Sequence, residues 1–557
     1  MSEARSGARY LAEALAGYGV SHVFFIEAIA RRVLVELEAL GVQRIMAHSE
    51  KAAAYMADGY ARATGRVGVC MSQAVGAANL AAGLQDAWLA RSPVLAITGH
   101  KAIPARQRNA YQEVDHRPLF EAVTAFTASV EAADQLPFLL RQALRTASGP
   151  TPRPVHLDLA GLQGEVIELG SLAGPPVIET RHGRVPSYRS TPAEEDIAAA
   201  VRLIDAAERP VVVLGAGAML GGSAEPVRAL AARGIPIAYG LDGKGLVEDS
   251  LDSVIGVVGN YSAPYANKVI HEADLVLYVG SDTSDMTTGD WRVVRPEAVV
   301  VQIDASADEL GRNFPGAQGL LGDAGLALAA LEPRLARRDR SAWRERALAL
   351  RRAWDEEVAP LRASDKTPVL VERLCREVEE ALPENALLVA DTGFSGIWSG
   401  THIGLGHPGQ DYIRAAGSLG WSFPAALGAQ AALADRPVVC FCGDGALYYH
   451  LAELETAKRW RIPVTVVINN NSAFGQDITG VRAAYGGRNG RATDLTHFTQ
   501  VDFARVAESF GCHGVRITDP ADLGAAIRAG IASGTPNVID VVTDPEPRAP
   551  AAWYPPA

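Results

Sequence analysis

Cysteine is scarce in this sequence. The five cysteines among 557 residues are Cys70, Cys375, Cys440, Cys442 and Cys512. So few cysteines in so long a chain exclude a disulfide framework, and the spacing of Cys440 and Cys442 is wrong for a zinc knuckle. Both lie in the apolar run 437–442, which is typical of a buried strand. We therefore expect reduced thiols and a cytoplasmic protein.

Basic charge and long apolar runs are lacking as well. The net charge is −12, so we expect neither nucleic acid nor an anionic membrane surface as a partner. No window approaches the run of about 18 apolar residues that a membrane span needs. Residues 1–7 lack the apolar stretch and cleavage site of a signal peptide. The sequence therefore predicts a globular protein without a membrane segment.

The chain does contain a regular alternation of short apolar strands with helical patterns. This alternation is typical of parallel sheets covered by helices on both faces. The chain is too long for one core, and a Pro- and Gly-rich stretch over 174–187 separates two blocks. We predict an α/β fold of three domains, each a doubly wound parallel sheet, with the outer two related to each other. The predicted bounds are 1–175, 190–345 and 365–545, with a C-terminal tail at 546–557.

Individual strands can be placed within each block. The predicted strands are 67–71, 94–98 and 155–159 in the first block, 210–214, 275–279 and 299–304 in the middle block, and 387–390, 437–442, 463–468 and 537–542 in the third. A helix is predicted between the first two strands, over 77–90. A basic, Ala-rich helix is predicted over about 331–362.

The strongest chemical signal is Gly443-Asp444-Gly445, followed after 24 residues by Asn470-Asn471. Both segments follow predicted strands, so they lie at the carboxyl edge of a sheet, where ligands bind. The glycines allow backbone amides to approach a phosphate, and a helix starting near Leu447 adds its positive end. Asp and Asn oxygens with a backbone carbonyl suit Mg²⁺ or Ca²⁺. Two unrelated turns are the alternative, but the spacing and the strands favour a metal site.

This segment resembles the thiamine-diphosphate signature of the acetolactate synthase, benzoylformate decarboxylase and oxalyl-CoA decarboxylase superfamily. The resemblance extends over nearly the whole chain and implies thiamine diphosphate and Mg²⁺ as cofactors. It also implies two thiamine-diphosphate-binding folds flanking a Rossmann-like middle domain. The implied metal ligands are Asp444, Asn471 and the carbonyl of Ala473. The run 469–471 is all asparagine, which leaves a one-residue ambiguity, and the family spacing favours Asn471.

Further cofactor contacts are implied in the third block. Residues 417–420, Gly-Ser-Leu-Gly, resemble the family's Gly-Thr-Met-Gly, so Leu419 takes the place of the apolar residue that props the bent cofactor. Residues 393–398 align with the loop over the diphosphate. The implied cofactor-binding residues of this block are Gly393, Phe394, Ser395, Gly417, Leu419, Gly443, Gly445, Ala446, Phe474 and Gly475.

The cofactor also requires a carboxylate that shares a proton with its aminopyrimidine ring, so that the ring can deprotonate the thiazolium carbon. Glu50, in His48-Ser49-Glu50, is the candidate, and we expect it to be buried just before a helix. Segment 57–65 closely resembles the superfamily segment after the catalytic glutamate. Taken alone, Glu50 is better explained as a carboxylate favoured near a helix N-terminus. The downstream match favours catalysis.

Two other motifs of the first block resemble the family. Residues 72–79 stand where the family has Ser-Gly-Pro-Gly-Ala-Thr-Asn; Gly76 and Asn79 are retained, and residues 73–75 differ. The resemblance implies that Asn79 contributes to cofactor binding. Residues 111–115, Tyr-Gln-Glu-Val-Asp, resemble Phe-Gln-Glu-x-Asp, which implies that Gln112 lies near the reaction centre.

The middle block contains Gly215-Ala216-Gly217 after a strand, with Gly221 and Gly222 following. This is nearly a dinucleotide fingerprint, but one spacing is off and a lone match is weak. The acetolactate synthases carry Arg-Phe-Asp-Asp-Arg where this chain has Ser-Asp-Thr-Ser-Asp at 281–285. We therefore predict that FAD is not a cofactor.

The substrate pocket departs from the family. Most relatives have Gly-x-Pro-Gly where this chain has Phe-Ile-Glu-Ala at 25–28. Glu27 is thus a candidate acid, base or repulsive charge facing the substrate, or a solvated loop carboxylate. His116 and His450 are candidates for proton transfer, with a structural role as the alternative. The lysine that follows Val-Thr in the acetolactate synthases is replaced by Ala125, which weakens the case for acetolactate synthesis itself.

The leading hypothesis is a carbon–carbon lyase, carboligase or decarboxylase that acts on a small 2-oxo acid, acyloin or aldehyde. A 2-hydroxyacyl-CoA lyase or oxalyl-CoA decarboxylase type is the alternative, for which Arg548 is the one basic residue near the tail. A catalytically inactive binding or regulatory homologue is a third class. The retained Glu50, Asp444 and Asn471 argue against it. The resemblance further implies a homodimer or homotetramer with active sites shared between chains.

Overall fold

A computed structural model of the chain describes residues 4–544, 546 and 549–556. It contains three six-stranded parallel sheets, one in each predicted block, with helices on their faces. The predicted α/β class with three doubly wound domains is therefore confirmed. The tail prediction lies partly outside the described residues, and Arg548 lies wholly outside them.

The first domain is built around a sheet in which three central strands are buried over their whole length. Its strands are β1 Ala4–Ser6, β2 His22–Phe25, β3 Gln43–Met46, β4 Gly68–Ser72, β5 Val94–His100, β6 Phe126–Val130, β7 Val155–Ala160 and β8 Ser171–Ala173. Its helices are α1 Gly7–Gly17, α2 Arg31–Ala39, α3 Glu50–Thr64, α4 Ala77–Leu89, α5 Arg117–Glu121, α6 Leu136–Ala147 and α7 Glu165–Leu169. The sheet order is β3-β2-β4-β5-β7-β6, and β1 pairs antiparallel with β8 beside it.

The middle domain has a different strand order, β11-β10-β9-β12-β13-β14. Its strands are β9 Pro210–Leu214, β10 Ile237–Tyr239, β11 Val254–Val257, β12 Leu275–Val279, β13 Val299–Asp304 and β14 Gln318–Leu321. Its helices are α8 Glu194–Ala206, α9 Ala216–Leu220, α10 Ala224–Ala232, α11 Pro264–Glu272, α12 Asp285–Thr288, α13 Ala324–Leu331 and α14 Ser341–Arg362. Helix α14 begins at Ser341, so the single helix predicted over about 331–362 is wrong. A short turn and an irregular segment separate α13 from α14.

The third domain carries the predicted metal motif. Its strands are β15 Leu387–Ala390, β16 Asp411–Arg414, β17 Val438–Gly443, β18 Thr465–Asn470, β19 His513–Ile517 and β20 Asn537–Val542. Its helices are α15 Val371–Ala381, α16 Phe394–His402, α17 Ser422–Ala432, α18 Asp444–Leu447, α19 Glu453–Trp460, α20 Asp477–Tyr485, α21 Phe503–Ser509 and α22 Leu523–Ala532. The helical turn after β17 begins at Asp444, three residues earlier than predicted.

The outer domains share one topology. The third sheet has the order β16-β15-β17-β18-β20-β19, which places its six strands as the six parallel strands of the first sheet are placed. The middle sheet instead follows the order of dinucleotide-binding folds. The strand orders thus support the prediction of two related domains around a different one.

Within the chain, the first and third domains meet where α3 packs on α17. Gly59 lies against the backbone of Ala425, and Gly428 lies against the backbone of Met56, so close that a Cβ at either glycine would overlap a carbonyl oxygen. The indole of Trp421 donates a 2.8 Å hydrogen bond to the buried Asp58. The two helices therefore cross at the distance that glycine alone allows.

The membrane prediction is consistent with the helices. Among those of residues 4–544, 546 and 549–556, none combines the length and apolar character that a membrane span requires.

Candidate cofactor and metal site

A cavity of about 220 Å³ opens at the carboxyl edge of the third sheet. Its walls come from the turns that follow β15, β17 and β18. The predicted site residues that line it are Gly393, Phe394, Ser395, Leu419, Gly443, Asp444, Gly445, Ala446, Asn471, Ala473, Phe474 and Gly475. The sequence motifs of the third block thus converge in space, at the edge where parallel sheets bind ligands.

The three predicted metal ligands lie together in this cavity. Asp444 is the first residue of α18, directly after β17, and Asn471 directly follows β18. Between Asn471 and Ala473, Ser472 has a left-handed backbone with φ of 56°. The Ala473 amide donates a 3.1 Å hydrogen bond to Oδ1 of Asn471. A carboxylate, an amide carbonyl and a main-chain carbonyl form a hard oxygen donor set that fits Mg²⁺.

The side chain of Asn470 is turned away from the cavity. Its Nδ2 donates hydrogen bonds to Asp540 Oδ1 at 2.8 Å and to the carbonyl of Val501 at 3.1 Å. Asn470 is the last residue of β18, so its side chain and that of Asn471 leave the backbone in different directions. This geometry supports Asn471 as the ligand.

Asp444 is almost fully buried. Burial raises the pKa of Asp444 to about 7, and the nearby charge of Asp540 adds to this, while the amides of Gly445 and Ala473 oppose it. A divalent cation bound to this carboxylate would favour its charged form. No cluster of three His, Cys, Asp or Glu side chains able to hold a metal occurs among the described residues. The predicted ligands do not form such a cluster, because two of the three donors are the amide oxygen of Asn471 and the main-chain oxygen of Ala473.

Gly445 and Gly393 line the cavity at positions where a side chain would overlap its neighbours. A Cβ at Gly445 would lie 2.6 Å from the ring of Phe474. Gly393 has a φ of 65°, and a Cβ there would lie 2.9 Å from Oε1 of Gln476. Both positions therefore exclude a side chain, and a glycine backbone without a side chain is what lets amides approach a phosphate closely, so these residues fit the diphosphate of the cofactor.

The structure adds lining residues that the sequence analysis missed, chief among them Tyr261 and Gln476. Tyr261 comes from the middle domain, in the loop after β11, and its ring lies against Gly396. Nε2 of Gln476 lies 3.4 Å from the Tyr261 hydroxyl. The position of Tyr261 after a parallel strand was the available signal, because such loops carry binding residues.

Glu50 lies on the first domain and does not line the cavity. It is the first residue of α3 rather than a residue before the helix, and it is half-buried rather than buried. Asn79 donates a 2.8 Å hydrogen bond to Oε2 of Glu50. Gly76 is required there because a Cβ would lie 2.6 Å from the other carboxylate oxygen. Glu50, which follows β3, and Asn79, which follows β4, thus form one hydrogen-bonded unit at the carboxyl edge of the first sheet.

Gln112 and His116 occupy the loop between β5 and α5. Gln112 has a φ of 57°, and its buried Oε1 has no hydrogen-bond partner among the described residues. His116 is 1% exposed, and its Nδ1 lies 3.2 Å from Asp158 without the alignment of a hydrogen bond. Burial raises the pKa of Asp158, but contacts with His100 and His116 outweigh it and hold that pKa below its usual range.

Glu27 is on the surface in the turn between β2 and α2. Its carboxylate forms a two-point ion pair with Arg31, at 2.6 and 3.0 Å. Arg31 lowers the pKa of Glu27, which favours the charged form. About half of the Glu27 side chain is exposed.

Gly417 lies outside the cavity, opposite Leu89 of the first domain. Asp86 of α4 holds this turn by accepting hydrogen bonds from the amides of Ala416 and Ser418, each at 2.9 Å. The motif 417–420 is therefore divided, with Leu419 in the cavity wall and Gly417 beside the first domain.

The near-fingerprint of the middle domain lies at the carboxyl end of β9, where the strand order reverses. Gly217 and Gly280 approach so closely that a Cβ on either would overlap the other's backbone. The cleft beside them is lined by four carboxylates, Asp242, Asp282, Asp304 and Asp323, with Arg91 from the first domain. The absence of FAD stays a prediction.

Comparison with known proteins identifies the family. Residues 5–119 match the N-terminal TPP-binding domain of thiamine pyrophosphate enzymes, 197–331 the central domain, and 391–541 the C-terminal TPP-binding domain. The three matches fall on the three sheets, and the third contains the cavity. The chain belongs to the thiamine pyrophosphate enzymes and is a thiamine-diphosphate-dependent enzyme of the acetolactate synthase-like type.

Full-length relatives support this assignment. The chain is 30% identical to a probable acetolactate synthase large subunit of Methanocaldococcus jannaschii, with 97% of this chain and 92% of the relative covered. It is 30% identical to the acetolactate synthase isozyme 2 large subunit of Escherichia coli, with 97% and 96% covered. It is 28% identical to a putative thiamine pyrophosphate-containing protein of Bacillus subtilis, with 98% and 93% covered.

Proposed function

We propose that this protein is a Mg²⁺-dependent carboligase, lyase or decarboxylase that acts on a small 2-oxo acid, acyloin or aldehyde. The observation that carries the proposal is the convergence of Asp444, Asn471 and the Ala473 carbonyl in one cavity with the open Gly443–Ala446 turn. When bound, thiamine diphosphate supplies a nucleophilic carbon and an electron sink for bond changes next to a carbonyl. Acetolactate synthase relatives support this reaction type.

The residues have distinct roles in the proposal. Asp444, Asn471 and the Ala473 carbonyl would hold the metal, which would supply positive charge for the diphosphate of the cofactor. Leu419 supports the cofactor from the cavity wall. Glu50, oriented by Asn79 at 2.8 Å, holds a proton at the pyrimidine ring nitrogen. Gln112 contacts the substrate from a loop at the same edge of the first sheet as Glu50.

We further propose that two chains share each active site. None of the described residues that line the cavity comes from the first domain, whereas Glu50 and Asn79 are accessible on that domain. Large apolar side chains are exposed at the same edge, including Val75 at 57% and Tyr111 at 74%. A second chain that placed its Glu50 over the cavity would complete the site and cover these side chains.

The direct test is a substrate screen. Purified protein with Mg²⁺ and thiamine diphosphate is given pyruvate, benzoylformate, aldehydes and 2-hydroxyacyl-CoA thioesters, and the products are identified by mass spectrometry. We expect turnover of a 2-oxo acid, acyloin or aldehyde. Turnover restricted to CoA thioesters would contradict the proposed substrate class.

Two variants test the assigned residues. Asp444→Asn is expected to weaken Mg²⁺-dependent cofactor binding, and Glu50→Gln to lower kcat by roughly 100-fold or more while the cofactor still binds. Glu38→Gln, which removes a surface carboxylate of the first domain that pairs with Arg44, is the control. A Glu50→Gln enzyme with unchanged kcat would exclude the catalytic role.

A further inference from the structure

An arginine-rich cleft of about 560 Å³ lies on the middle domain and shares no lining residue with the cofactor cavity. Two acidic residues, Glu332 and Asp339, and five arginines line it. The arginines are Arg233, Arg337, Arg338, Arg340 and Arg344. The chain as a whole has a net charge of −12. The cationic excess in this cleft is therefore a local feature that needs its own explanation.

Arg340 is the most unusual of these arginines because it is 4% exposed. Its Nη2 donates a 3.0 Å hydrogen bond to the carbonyl of Ile204. Its Nε and Nη1 are buried and have no partner among the described residues. A buried guanidinium with two unpaired nitrogens destabilises the folded protein, and a hydrogen-bond acceptor that reached these nitrogens would reduce that destabilisation. Burial lowers the pKa of Arg340, and the charge of Arg338 lowers it further.

The acidic residues of the cleft leave most of its positive charge free. Glu332 is committed to Arg233, 2.6 Å away. The Asp339 carboxylate accepts a 2.9 Å hydrogen bond from the amide of Ser341. Arg337 and Arg338 have no ion-pair partner in the part of the chain that the structure describes. An incoming anion would thus meet the exposed guanidinium groups of Arg337 and Arg338 without displacing an ion pair.

The N-terminus of α14 opens onto the same cleft. This helix is 22 residues long, and no side chain of its N-cap residue is bonded to its first turn. The amides of Ala342 and Trp343 have no intrahelical acceptor in that turn. The Trp343 indole anchors the turn by donating a 2.9 Å hydrogen bond to the Pro210 carbonyl. The Asp339 carboxylate already accepts from the first amide of this helix, that of Ser341, and the next two amides add a further attraction for negative charge.

We propose that this cleft binds an anion carrying two or more phosphate groups. Guanidinium groups bind phosphate through paired, charge-assisted hydrogen bonds, and several of them need several phosphate oxygens. The lining contains no aromatic side chain, and its apolar residues are Ala229 and Ala232. A nucleotide base would therefore find no stacking surface. The ligand is a free polyphosphate or the phosphate tail of a nucleoside triphosphate.

The test is calorimetric titration of the holoenzyme, with thiamine diphosphate bound so that the third-domain cavity is blocked. Inorganic triphosphate, ATP and adenosine are the three probes. We expect triphosphate to bind once per chain, with an affinity that falls as salt rises. ATP that bound more tightly than triphosphate would identify a nucleotide tail as the source, and equal or weaker binding would identify a free polyphosphate. Adenosine that bound as well as ATP would overturn the proposal.

Arginine variants locate the binding. The double variant Arg338→Gln/Arg344→Gln removes two charges from the less buried part of the cleft and is expected to weaken triphosphate binding at least about tenfold. Arg340→Gln should do the same if circular dichroism shows that it folds. Arg352→Gln, an exposed arginine of the same helix outside the cleft, should leave the affinity unchanged. Equal affinity in the wild type and the double variant would rule out this site.

Discussion

Two alanines adopt a left-handed backbone in the turn between β2 and α2. Ala28 has a φ of 82° and Ala30 a φ of 44°. An L-residue pays about 1–2 kcal/mol for this conformation. The resemblance places glycine, the residue type that favours this conformation, in the same turn of most relatives. The same turn presents Glu27, paired with Arg31, to the solvent.

Replacing Ala28 with glycine should therefore stabilise the protein. The relief of backbone strain is partly offset by the greater freedom of glycine in the unfolded chain, roughly 0.5–1 kcal/mol. We expect a net gain of up to about 1 kcal/mol, measured as a higher unfolding midpoint by calorimetry. Ala16→Gly, inside α1, is the control and should lose about 1 kcal/mol. A loss of the same size in both variants would refute the strain at Ala28.

A second residue-level feature is the buried His156. Its ring stacks on Phe120 with centroids 3.5 Å apart, and its two nitrogens lie 2.7 and 2.8 Å from the hydroxyls of Thr98 and Thr127. Burial lowers the pKa of His156 to about 3, although Asp158 opposes this. The folded protein therefore holds this imidazole neutral at a pH where the unfolded chain binds a proton.

The sign of the pH effect follows from that difference. Because the pKa of His156 is lower in the folded state than the unfolded value of about 6.5, its contribution is complete above pH 6.5 and is lost as pH falls toward about 3. His156→Gln removes this titration. The loss of stability with falling pH should therefore be less steep, by up to about tenfold in the folding equilibrium constant per pH unit. Urea unfolding across this pH range measures it. An unchanged slope would show that other groups govern acid unfolding.

At the scale of elements, the crossing of α3 and α17 sets how the first and third domains sit in one chain. Helix α3, which begins with Glu50, packs against α17, which follows the turn that contains Leu419. The contact is backbone to backbone at Gly59 and Gly428. Small residues allow this approach, and no side-chain rearrangement relieves an overlap with a carbonyl oxygen.

Gly428→Ala should therefore damage the crossing. The new Cβ would lie 1.9 Å from the carbonyl oxygen of Met56, so the helices must separate, at an expected cost of about 1–3 kcal/mol or more. The measurement is the thermal unfolding midpoint.

Gly480→Ala in α20 is the matched control. A Cβ there meets nothing within 4 Å, so helix propensity should raise stability by up to about 1 kcal/mol. If the two substitutions shifted the midpoint alike, the tight crossing would not be a feature of the protein in solution.

At the scale of the whole molecule, Glu50 and the cavity of the third domain lie on different domains of the same architectural type. The domains are packed within the chain so that Glu50 does not line its own chain's cavity. If two chains share each site, as we propose, assembly is a condition for activity.

Mixed variants test the shared site. Glu50→Gln and Asp444→Asn chains are each expected to be inactive alone. If each site takes Glu50 from one chain and Asp444 from the other, unfolding and refolding an equal mixture should restore about a quarter of wild-type activity, since half the dimers are hybrids with one intact site of two. Each variant refolded separately is the control. A mixture without activity would place both residues of a site on one chain.

Much of this architecture could be predicted from the sequence because it depends on local patterns. The predicted strands 210–214, 275–279, 299–304, 387–390 and 537–542 coincide with β9, β12, β13, β15 and β20, since buried parallel strands are continuous apolar runs. The cofactor class also followed from short motifs. Their chemistry lies in turns directly after strands, where residue type and conformation are tightly linked.

Only the tertiary structure shows which groups that are distant in sequence lie in contact. The side chain of Asn470 is held by Asp540 and Val501, which no local pattern connects to it. Tyr261 enters the cavity from another domain, and the arginine cleft forms where α10 and the start of α14 meet. The sequence by itself determined the cofactor class, the long apolar strands and the motifs in the turns that follow them, because these are properties of single segments. Packing decided which side chains share a site, because contacts between domains depend on the shape of every surface involved.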